Sequence, residues 1–486
     1  MMSKLFGSSV GLGFFLWSFV LSAELPNYLK IFPKESHYEL KSGAQSIGRS
    51  SLRWSESSGR VVFSEFSEMK VTLFGKAQLI STDLVSTVDT NLTVQDFSYR
   101  MKSPDSTIEI RGKRSGSIIR LEKIQAGKSQ FRDLALQEPM VLASLIRVFA
   151  VMKGLSKDAS VTSQFDAYLL EPSAFVLIPM NVSAKKIDAP GETWKLTVKY
   201  LNHSLESIIR GDGSLVEEVT DIAGMPVVAK PVNKKTYDAI AIVASKTDLV
   251  QQARVPFAEV PRSRELSQFR VKVSGIPSHQ FQLNRHRQKF VNDVLTVDRE
   301  KLPIKSSPVQ SLIGKGDFKR YLDSEVSIPV FDPIIQRKAQ EIVKNESDLW
   351  KRAILIHEFV YKHLEKRAFV SLPDALEALQ SKQGDCNEHA VLYTALARAA
   401  GIPTRTVVGL VFSEVYQAKP EPGFYYHAWV EVFTGSDWVA IDPTWNQIPA
   451  DATHLAFVEG GADQQIQIAS LMGKIKLSPV KDATVN

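Results

Sequence analysis

The chain has 486 residues, of which 44% are apolar, and a formal net charge of +6. This length predicts two or three domains with ordinary hydrophobic cores. The charge is too modest to indicate a nucleic-acid-binding protein, and the single cysteine excludes an intramolecular disulfide.

The first 23 residues have the outline of a secretory signal peptide. Lys4 precedes an uncharged apolar run, Leu5–Leu21, which ends in the small residues Ser22 and Ala23. We therefore expect export to the periplasm or cell envelope, with cleavage near this point. The alternative is an uncleaved N-terminal anchor, because the run is only slightly short for a membrane span. Membrane association is expected only in that case.

Residues 24–260 are predicted to be mainly β-strands. Runs of β-branched and aromatic residues alternate with turn signals such as Gly211-Asp212-Gly213. One helix is predicted, at Met140–Lys153. Many strands and few helices favour an antiparallel sheet that is curved or barrel-like, and we find no catalytic constellation in it. Representative predicted strands are Arg60–Phe63, Lys70–Phe74, Thr107–Arg111 and Thr193–Tyr200.

Residues 261–300 are predicted to form a small second β unit, because they contain the strand-like runs FRVKV and FVNDVLTV. The basic stretch Arg262–Lys305 has few aromatic residues and no nucleic-acid-binding motif. We interpret it as a solvated surface that could face an envelope partner. Residues 301–327 contain several prolines and serines and are predicted to be a linker.

A C-terminal domain is predicted at residues 328–460. Asp332-Pro333 is a helix N-cap followed by proline at the first helical position. Further helices are predicted from Ser347 and over Pro373–Gln380. Together with the hairpin described below, these helices predict an α+β domain. Residues 461–486 are a weakly patterned C-terminal tail.

The stretch Gln383–Gly401 carries the strongest chemical signal. Asp385, with Glu388 three residues later, makes a capping box for a helix that begins at Cys386. A thiol in the first turn faces unpaired backbone N–H groups and the positive end of the helix dipole, which favour the thiolate. A lone cysteine is otherwise most often a small buried apolar residue. In an exported protein an unpaired thiol favours the reactive interpretation.

A predicted hairpin downstream brings a histidine to an aspartate. Phe424–Phe433 and Asp437–Asp442 have the composition of two strands. A two-residue loop would place His427 directly opposite Asp442, and a four-residue loop would make them diagonal neighbours. In both registers the two side chains share a face of the sheet. A histidine held by an aspartate can orient and activate a nucleophilic cysteine.

Three blocks of the sequence resemble a known superfamily. GDCNEHAVLYTALARAAGIPTRTVVGL, FYYHAWVEVF and WVAIDPTWNQ resemble, in this order, the bacterial transglutaminase-like (papain-like cysteine hydrolase) superfamily. The resemblance covers about residues 328–460 and puts the catalytic residues of the family at Cys386, His427 and Asp442. It implies a hydrolase or acyltransferase that acts on peptide or isopeptide amides of a peptide or protein substrate through a thioacyl-enzyme. No cofactor or metal is expected.

Two alternatives stay open. Cys386 and His389 have the Cys-x-x-His spacing of a metal site, which His427 and Asp442 could complete. The fold could also be catalytically idle and serve as a binding or scaffolding module in a cell-envelope assembly. The large β-rich region would then provide the binding surface.

Gln383 and the segment Ser413–Gly423 are further candidates for parts of the site. Gln383 could donate a second hydrogen bond to an oxyanion or belong only to the connecting loop. Ser413–Gly423 is predicted to be a loop beside the site, and it contains no acidic calcium-binding pattern. We therefore expect hydrolysis without metal dependence.

Overall fold

The computed structural model describes residues 26–57, 60–104, 106–125, 127–302, 304–312, 316–367, 373–416, 419–460 and 467–480. The predicted signal peptide or anchor, residues 1–23, lies outside these ranges. None of the helices within them combines the length and apolar content that a membrane span requires.

A wide sheet dominates the N-terminal region. Within the described residues it has fifteen strands in the order β8-β7-β6-β5-β4-β3-β2-β1-β15-β14-β13-β12-β11-β10-β9. Successive strands from β1 to β8 and from β10 to β15 pair antiparallel, and β1 pairs with β15 near the middle of the sheet. The strands are β1 (Glu35–Ser42), β2 (Gln45–Ser57), β3 (Arg60–Leu73), β4 (Lys76–Val88), β5 (Val94–Lys102), β6 (Thr107–Ser115), β7 (Ile118–Gln125), β8 (Lys128–Ala135), β9 (Met140–Val141), β10 (Thr162–Glu171), β11 (Val176–Lys186), β12 (Thr193–Tyr200), β13 (His203–Arg210), β14 (Leu215–Ile222) and β15 (Met225–Val232).

The wide sheet is curved. A flat sheet of this many strands would be roughly 70 Å across at about 4.8 Å per strand. However, Phe131 of β8 and Phe175 beside β11 line the same cavity, although their strands are near opposite ends of the order. Strands from both halves of the sheet share one apolar core with the short helix α2 (Ile146–Lys153). A shorter helix, α1 (Asn27–Ile31), precedes β1. The prediction of a β-rich N-terminal region is confirmed.

Two local predictions in this region are corrected. The predicted strands Arg60–Phe63 and Lys70–Phe74 are not separate, because residues 64–69 continue the pairing with β4 and β3 runs from Arg60 to Leu73. Phe74 lies in the turn that follows. The predicted helix Met140–Lys153 begins only at Ile146, so α2 is Ile146–Lys153. The residues before it are extended, since β9 pairs in parallel with β10.

Four helices and a five-stranded sheet form the C-terminal domain. The first helix begins where its N-cap predicts, with the Asp332 carboxylate accepting from the Ile334 N–H. The second, predicted from Ser347, begins at Leu349, and Asp348 is its N-cap. The sheet order is β16-β23-β22-β25, and β24 pairs with β23. The elements are α5 (Pro333–Val343), α6 (Leu349–His363), α7 (Ala375–Ser381), α8 (Cys386–Ala399), β16 (Val255–Pro256), β22 (Thr404–Tyr416), β23 (Lys419–Phe433), β24 (Trp438–Ile441) and β25 (Leu455–Glu459).

A small sheet joins the predicted β unit to the C-terminal tail. Its order is β18-β19-β17-β26, in which β26 comes from the tail and pairs with β17. One apolar core runs from Val255 through the helices of the C-terminal domain to Ile475. The remaining elements are α3 (Lys234–Asp238), α4 (Leu249–Ala253), β17 (Gln268–Ser274), β18 (Gln288–Val291), β19 (Val294–Asp298), β20 (Glu365–Lys366), β21 (Gln383–Gly384) and β26 (Lys476–Pro479).

The interpretation of Arg262–Lys305 as a solvated surface is wrong for two of its arginines. The side chains of Arg285 and Glu431 are each 3% exposed and lie 3.6 Å apart. Arg287 and Glu300 form a second buried pair at 3.3 Å. The sequence shows the cations but cannot show that folding brings a carboxylate to each of them.

A buried ion pair connects the wide sheet to the C-terminal domain. The Lys123 ammonium of β7 lies 3.2 Å from a carboxylate oxygen of Asp374, and the two side chains are 1% and 7% exposed. Asp374 is the N-cap of α7, the helix that leads into the cysteine motif. The β-rich region therefore contacts the segment that positions Cys386.

Candidate functional site

Cys386 is the first residue of α8, as predicted. The Asp385 carboxylate accepts from the Asn387 N–H at 2.7 Å, and the Glu388 carboxylate accepts from the Asp385 N–H at 2.9 Å. This is the predicted capping box. A Cβ at Gly384 would lie only 2.3 Å from the Glu388 Cβ, so the turn into the helix requires glycine.

His427 lies on β23, and Asp442 follows β24 directly. Phe433 pairs with Trp438, so the hairpin loop has four residues, Thr434–Asp437. Of the two registers predicted, the diagonal one is the register found. The His427 Nε2 and Asp442 Oδ2 atoms lie 2.9 Å apart. Since a carboxylate can only accept, Nε2 carries a hydrogen.

Cys386 and His427 line the same cleft, which has a volume of about 850 Å³. One of its walls comes from the β-rich region, through Phe74 at the β3–β4 turn. The Phe74 ring stacks on Tyr416, with 6.1 Å between ring centroids. The Asp248 carboxylate reinforces this contact, because it accepts from the Tyr416 hydroxyl at 2.9 Å and from the backbone N–H of residue 75.

The loop predicted at Ser413–Gly423 is instead the end of a long hairpin. Tyr416 of β22 pairs with Lys419 of β23, so both strands continue past the core. Residues 417 and 418 lie outside the described ranges. The extended hairpin contributes Ser413, Val415 and Tyr416 to the cleft.

The Asp442 carboxylate is fully buried and accepts four hydrogen bonds. Oδ1 accepts from the Thr444 and Trp445 N–H groups at 2.8 and 3.0 Å. Oδ2 lies 2.9 Å from His427 and 3.2 Å from His454. Burial alone would raise the pKa of Asp442, but the two histidines outweigh it and hold the pKa well below its ordinary value. Asp442 is therefore an anion in the folded protein.

His454 is a site residue for which the sequence analysis gave no role. Its imidazole lies between two carboxylates, 3.2 Å from Asp442 and 3.2 Å from Asp451, and is fully buried. Burial lowers the pKa of His454, but the two aspartates more than compensate and raise it above its ordinary value. The signal available in the sequence was the Asp-x-x-His spacing at Asp451–His454.

Trp445 covers one face of His427. The two rings stack with centroids 4.7 Å apart, and the guanidinium of Arg264 lies 4.1 Å above the tryptophan ring. Together with the bonds from Thr444 and Trp445 to Asp442, this stack fixes the orientation of the imidazole.

The resting thiol differs from the expectation. Burial raises the pKa of Cys386 well above its ordinary value, and the neighbouring Asp385 carboxylate raises it further. A hydrogen bond from the Ala428 N–H to the sulfur lowers the pKa, but by less than burial and Asp385 raise it. Desolvation and the Asp385 carboxylate thus act against the thiolate that the sequence analysis expected at the helix N-terminus, although the Cys386 side chain is only half-buried.

His389 is not part of the site geometry. Its Nδ1 donates to the Asp385 carbonyl oxygen at 2.6 Å, an intrahelical contact. Among the described residues, the ligand atoms of His427, Asp442 and His454 all lie within 4.8 Å of one another. Each of them is already hydrogen-bonded within this cluster, so a cation there would have to displace those bonds.

Gln383 is not among the cleft-lining residues described. Its side-chain oxygen accepts from Arg367 at 2.9 Å, so the amide supports the β20–β21 connection. The second oxyanion donor considered in the sequence analysis is not found at this position.

One family model matches the C-terminal part of the chain. Residues 336–443 match the family model of the transglutaminase-like superfamily. The C-terminal part of the chain contains a transglutaminase-like domain. Cys386, His427 and Asp442 all lie inside the matched range.

Solved structures show weaker similarity. A beta-barrel-like protein from Brucella abortus is 12% identical, with a TM-score of 0.34, over 42% of this chain and 97% of its own. A proposed cysteine protease from Cytophaga hutchinsonii is 17% identical, with a TM-score of 0.29, over 47% of this chain and 79% of its own. A search of curated proteins returned no match.

Proposed function

We propose that this protein is an exported cysteine hydrolase or acyltransferase that acts on peptide or isopeptide amide bonds. One observation carries the proposal: Cys386, at a helix N-terminus, shares a cleft with a histidine that is hydrogen-bonded to a buried aspartate. These are the parts that thiol nucleophilic catalysis needs.

The thiol proton goes to His427 in the first step. Because Nε2 donates to Asp442, the other ring nitrogen, Nδ1, is the one that can accept a proton. The raised pKa of Cys386 means that this transfer accompanies attack and does not precede it. The sulfur bonds to the carbonyl carbon, and Asp442 stabilises the imidazolium that forms.

The tetrahedral intermediate then breaks down. Its oxyanion accepts from the backbone N–H of Cys386, a contact worth about 3 kcal/mol in comparable sites. The carbon–nitrogen bond breaks, and His427 gives its proton to the leaving amine. This leaves a thioester on Cys386. Water attacks it with His427 as base, which releases a carboxylic acid and restores the thiol.

Hydrolysis is proposed over transfer to an amine. Transfer needs a site that excludes water and admits the amine, and the residues described around Cys386 form an open cleft. The test is incubation with candidate envelope peptides and a labelled primary amine. Mass spectrometry should find free acid as the main product, and excess amine adduct would make the protein a transferase.

The nucleophile is tested with p-nitrophenyl acetate, which needs no knowledge of the natural substrate. Wild-type protein should release p-nitrophenol and carry an acetyl group on Cys386, detected by intact mass and peptide mapping. Cys386→Ala and His427→Ala should lose the adduct while keeping the wild-type melting temperature. Acetylation that is unaffected by His427→Ala would contradict the proposed role of the histidine.

A second candidate function is a catalytically idle binding or scaffolding module. The observation that favours it is the raised pKa of Cys386, since an inert buried thiol has the same property. The two functions are separated by the same acyl probe, because an idle thiol forms no adduct in the native state but does so once unfolded.

Export to the periplasm or cell envelope is proposed from the first 23 residues. The expected partners are a peptide or protein substrate and, for the scaffolding alternative, an envelope protein; no nucleic-acid partner is proposed. Sequencing of the N-terminus of the protein from its native host should show a start near residue 24. A start at Met1 in the cytosol would contradict export.

A further inference from the structure

The cleft around Cys386 is lined by four cationic residues: Arg264, Arg299, Lys366 and Arg367. Asp385 is the one carboxylate among its described lining residues, and it is engaged with the Asn387 N–H. The residues after Arg367 and Tyr416 that lie outside the described ranges, 368–372 and 417–418, carry no charge in the sequence. The cleft therefore has a surplus of positive charge.

Two of the cations lie on the Trp445 side of the site. The guanidinium of Arg264 stacks over the Trp445 ring, and the other neighbour of that ring is the His427 imidazole. Arg264 also pairs with the Asp451 carboxylate at 3.0 Å. Arg299 donates to the carbonyl oxygens of Arg264 and Pro449 at 3.1 and 3.0 Å. These carbonyls orient the guanidinium of Arg299 but leave its charge uncompensated.

The other two cations belong to the segment that pairs with the start of the cysteine motif. Lys366 is on β20, which pairs with Gly384 of β21, two residues before Cys386. The Lys366 ammonium lies 4.6 Å from the centroid of the Tyr361 ring, and no carboxylate is among its described partners. Arg367 follows directly and donates to the Gln383 side chain. Two separate segments of the chain thus bring positive charge to the cleft that Cys386 lines.

An aromatic row lines the same cleft. Phe74, Tyr416 and Tyr425 stack in sequence, with centroid distances of 6.1 and 5.6 Å, and all three line the cleft. Arginine and lysine recognise carboxylates, and a cleft of one sign concentrates ligands of the opposite charge.

We propose that the substrate is an acidic peptide with carboxylate side chains close to the amide that Cys386 attacks. Arg299 and Lys366 bind these carboxylates, and the aromatic row packs against the rest of the peptide. This inference rests on the proposed function, since it takes Cys386 as the reacting group.

The charge of the cleft is measured with two alkylating reagents of similar size. Iodoacetate is an anion and iodoacetamide is neutral, so the ratio of their rates at Cys386 reports the local potential and not the fraction of thiolate. The ratio for native protein should exceed that of the same chain unfolded in urea by about threefold to tenfold at low salt. It should fall toward the unfolded value in 0.5 M NaCl, because salt screens the field at about this concentration.

Variants locate the source of this effect. Lys366→Gln and Arg299→Gln should each lower the rate ratio by about twofold or more. Lys351→Gln, an exposed cation on α6 outside the cleft, is the matched control and should leave the ratio unchanged. Equal ratios for native and unfolded protein would overturn the proposal.

Peptide binding tests the inference independently of reactivity. Cys386→Ala is titrated by calorimetry with a pentapeptide that has glutamates around a central glutamine, and with its all-glutamine counterpart. The acidic peptide should bind at least about fivefold tighter, and Lys366→Gln should reduce this preference. Equal binding of the two peptides would overturn the substrate class. If Cys386 proves unreactive, the proposed function fails, but the peptide comparison still decides the charge preference.

Discussion

Asp385 is the residue that most directly controls the resting state of Cys386. It caps α8, yet its carboxylate is the main neighbouring charge that raises the pKa of the thiol, after burial itself. The same side chain thus stabilises the helix that presents the cysteine and opposes thiolate formation. Burial and the neighbouring Glu388 carboxylate raise the pKa of Asp385 itself well above its ordinary value, so Asp385 opposes the thiolate only when it is ionised.

The first prediction separates these two effects with Asp385→Asn. Asparagine caps helices about as well as aspartate does, so α8 should persist. Removal of the carboxylate should lower the pKa of Cys386, seen as a lower midpoint in the pH dependence of alkylation by iodoacetamide. In wild type that midpoint should lie above the value of about 8.5 found for free thiols. Asp437→Asn, at an exposed hairpin position, is the control, and an unchanged midpoint in Asp385→Asn would contradict the prediction.

A second residue-scale prediction concerns His454, whose folded-state pKa is raised. A raised pKa gives stability that is fully present below the unfolded value of about 6.5 and is lost as the pH rises through the folded value. The difference in unfolding free energy between wild type and His454→Gln should therefore shrink as the pH rises from about 6 to 9. Thermal denaturation across this range measures it. A difference that stays constant with pH would show that His454 is neutral, and His286→Gln, at an exposed site, is the control.

At the scale of elements, buried charges connect the five-stranded sheet of the C-terminal domain to the small sheet that contains β18. Glu431 of β23 lies 2.6 Å from Arg405 of β22 and 3.6 Å from Arg285, which precedes β18. Burial would raise the pKa of Glu431, but the two arginines hold it below its ordinary value. The β23 strand that carries His427 is therefore tied to the neighbouring sheet by this anion.

The third prediction is that Glu431→Gln destabilises the protein by about 3–5 kcal/mol, because it removes the fully buried one of the two carboxylates that these arginines share and leaves them only Glu459, which is 19% exposed. Urea denaturation measures the change. Glu206→Gln is the matched control, since its pair with Lys195 is half exposed on both sides and should contribute no more than about 1 kcal/mol. Similar costs for the two variants would mean that the buried network adds no stability.

At the scale of the whole molecule, the wide sheet contacts both the cleft and the segment before Cys386. Phe74 forms a wall of the cleft, and Lys123 pairs with the aspartate that caps the helix before the motif. The β-rich region therefore shapes the cleft and supports α7, the helix before Cys386.

The fourth prediction tests this support with Lys123→Met. The substitution leaves Asp374 buried and uncompensated, so it should cost about 3–5 kcal/mol in unfolding free energy. Lys128→Met is the control, because Lys128 also crosses to the C-terminal domain, at Asp332, but is 43% exposed. Its loss should cost no more than about 1 kcal/mol. Equal losses of unfolding free energy in the two variants would show that the buried Lys123–Asp374 pair stabilises the protein no more than the exposed Lys128–Asp332 pair does.

Local sequence determined the parts of the site whose cause lies within a few residues. The N-cap at Asp385, the turn at Gly384 and the same-face placement of His427 and Asp442 all follow from spacing and backbone geometry. The helix start at Asp332 was predicted for the same reason, and the next helix was predicted from Ser347, one residue before its cap Asp348. The family blocks added the roles of the three residues, which spacing alone could not assign.

Only the tertiary structure decided the properties that depend on residues distant in the chain. Burial of Cys386 reversed the expected direction of its pKa, because desolvation depends on the packing of the whole domain. Arg285 lies 146 positions before its partner Glu431, so no local pattern marks it as buried. The aromatic wall at Phe74 and the cations around the cleft are likewise assembled from separate regions of the sequence, since a cleft is a property of how elements meet.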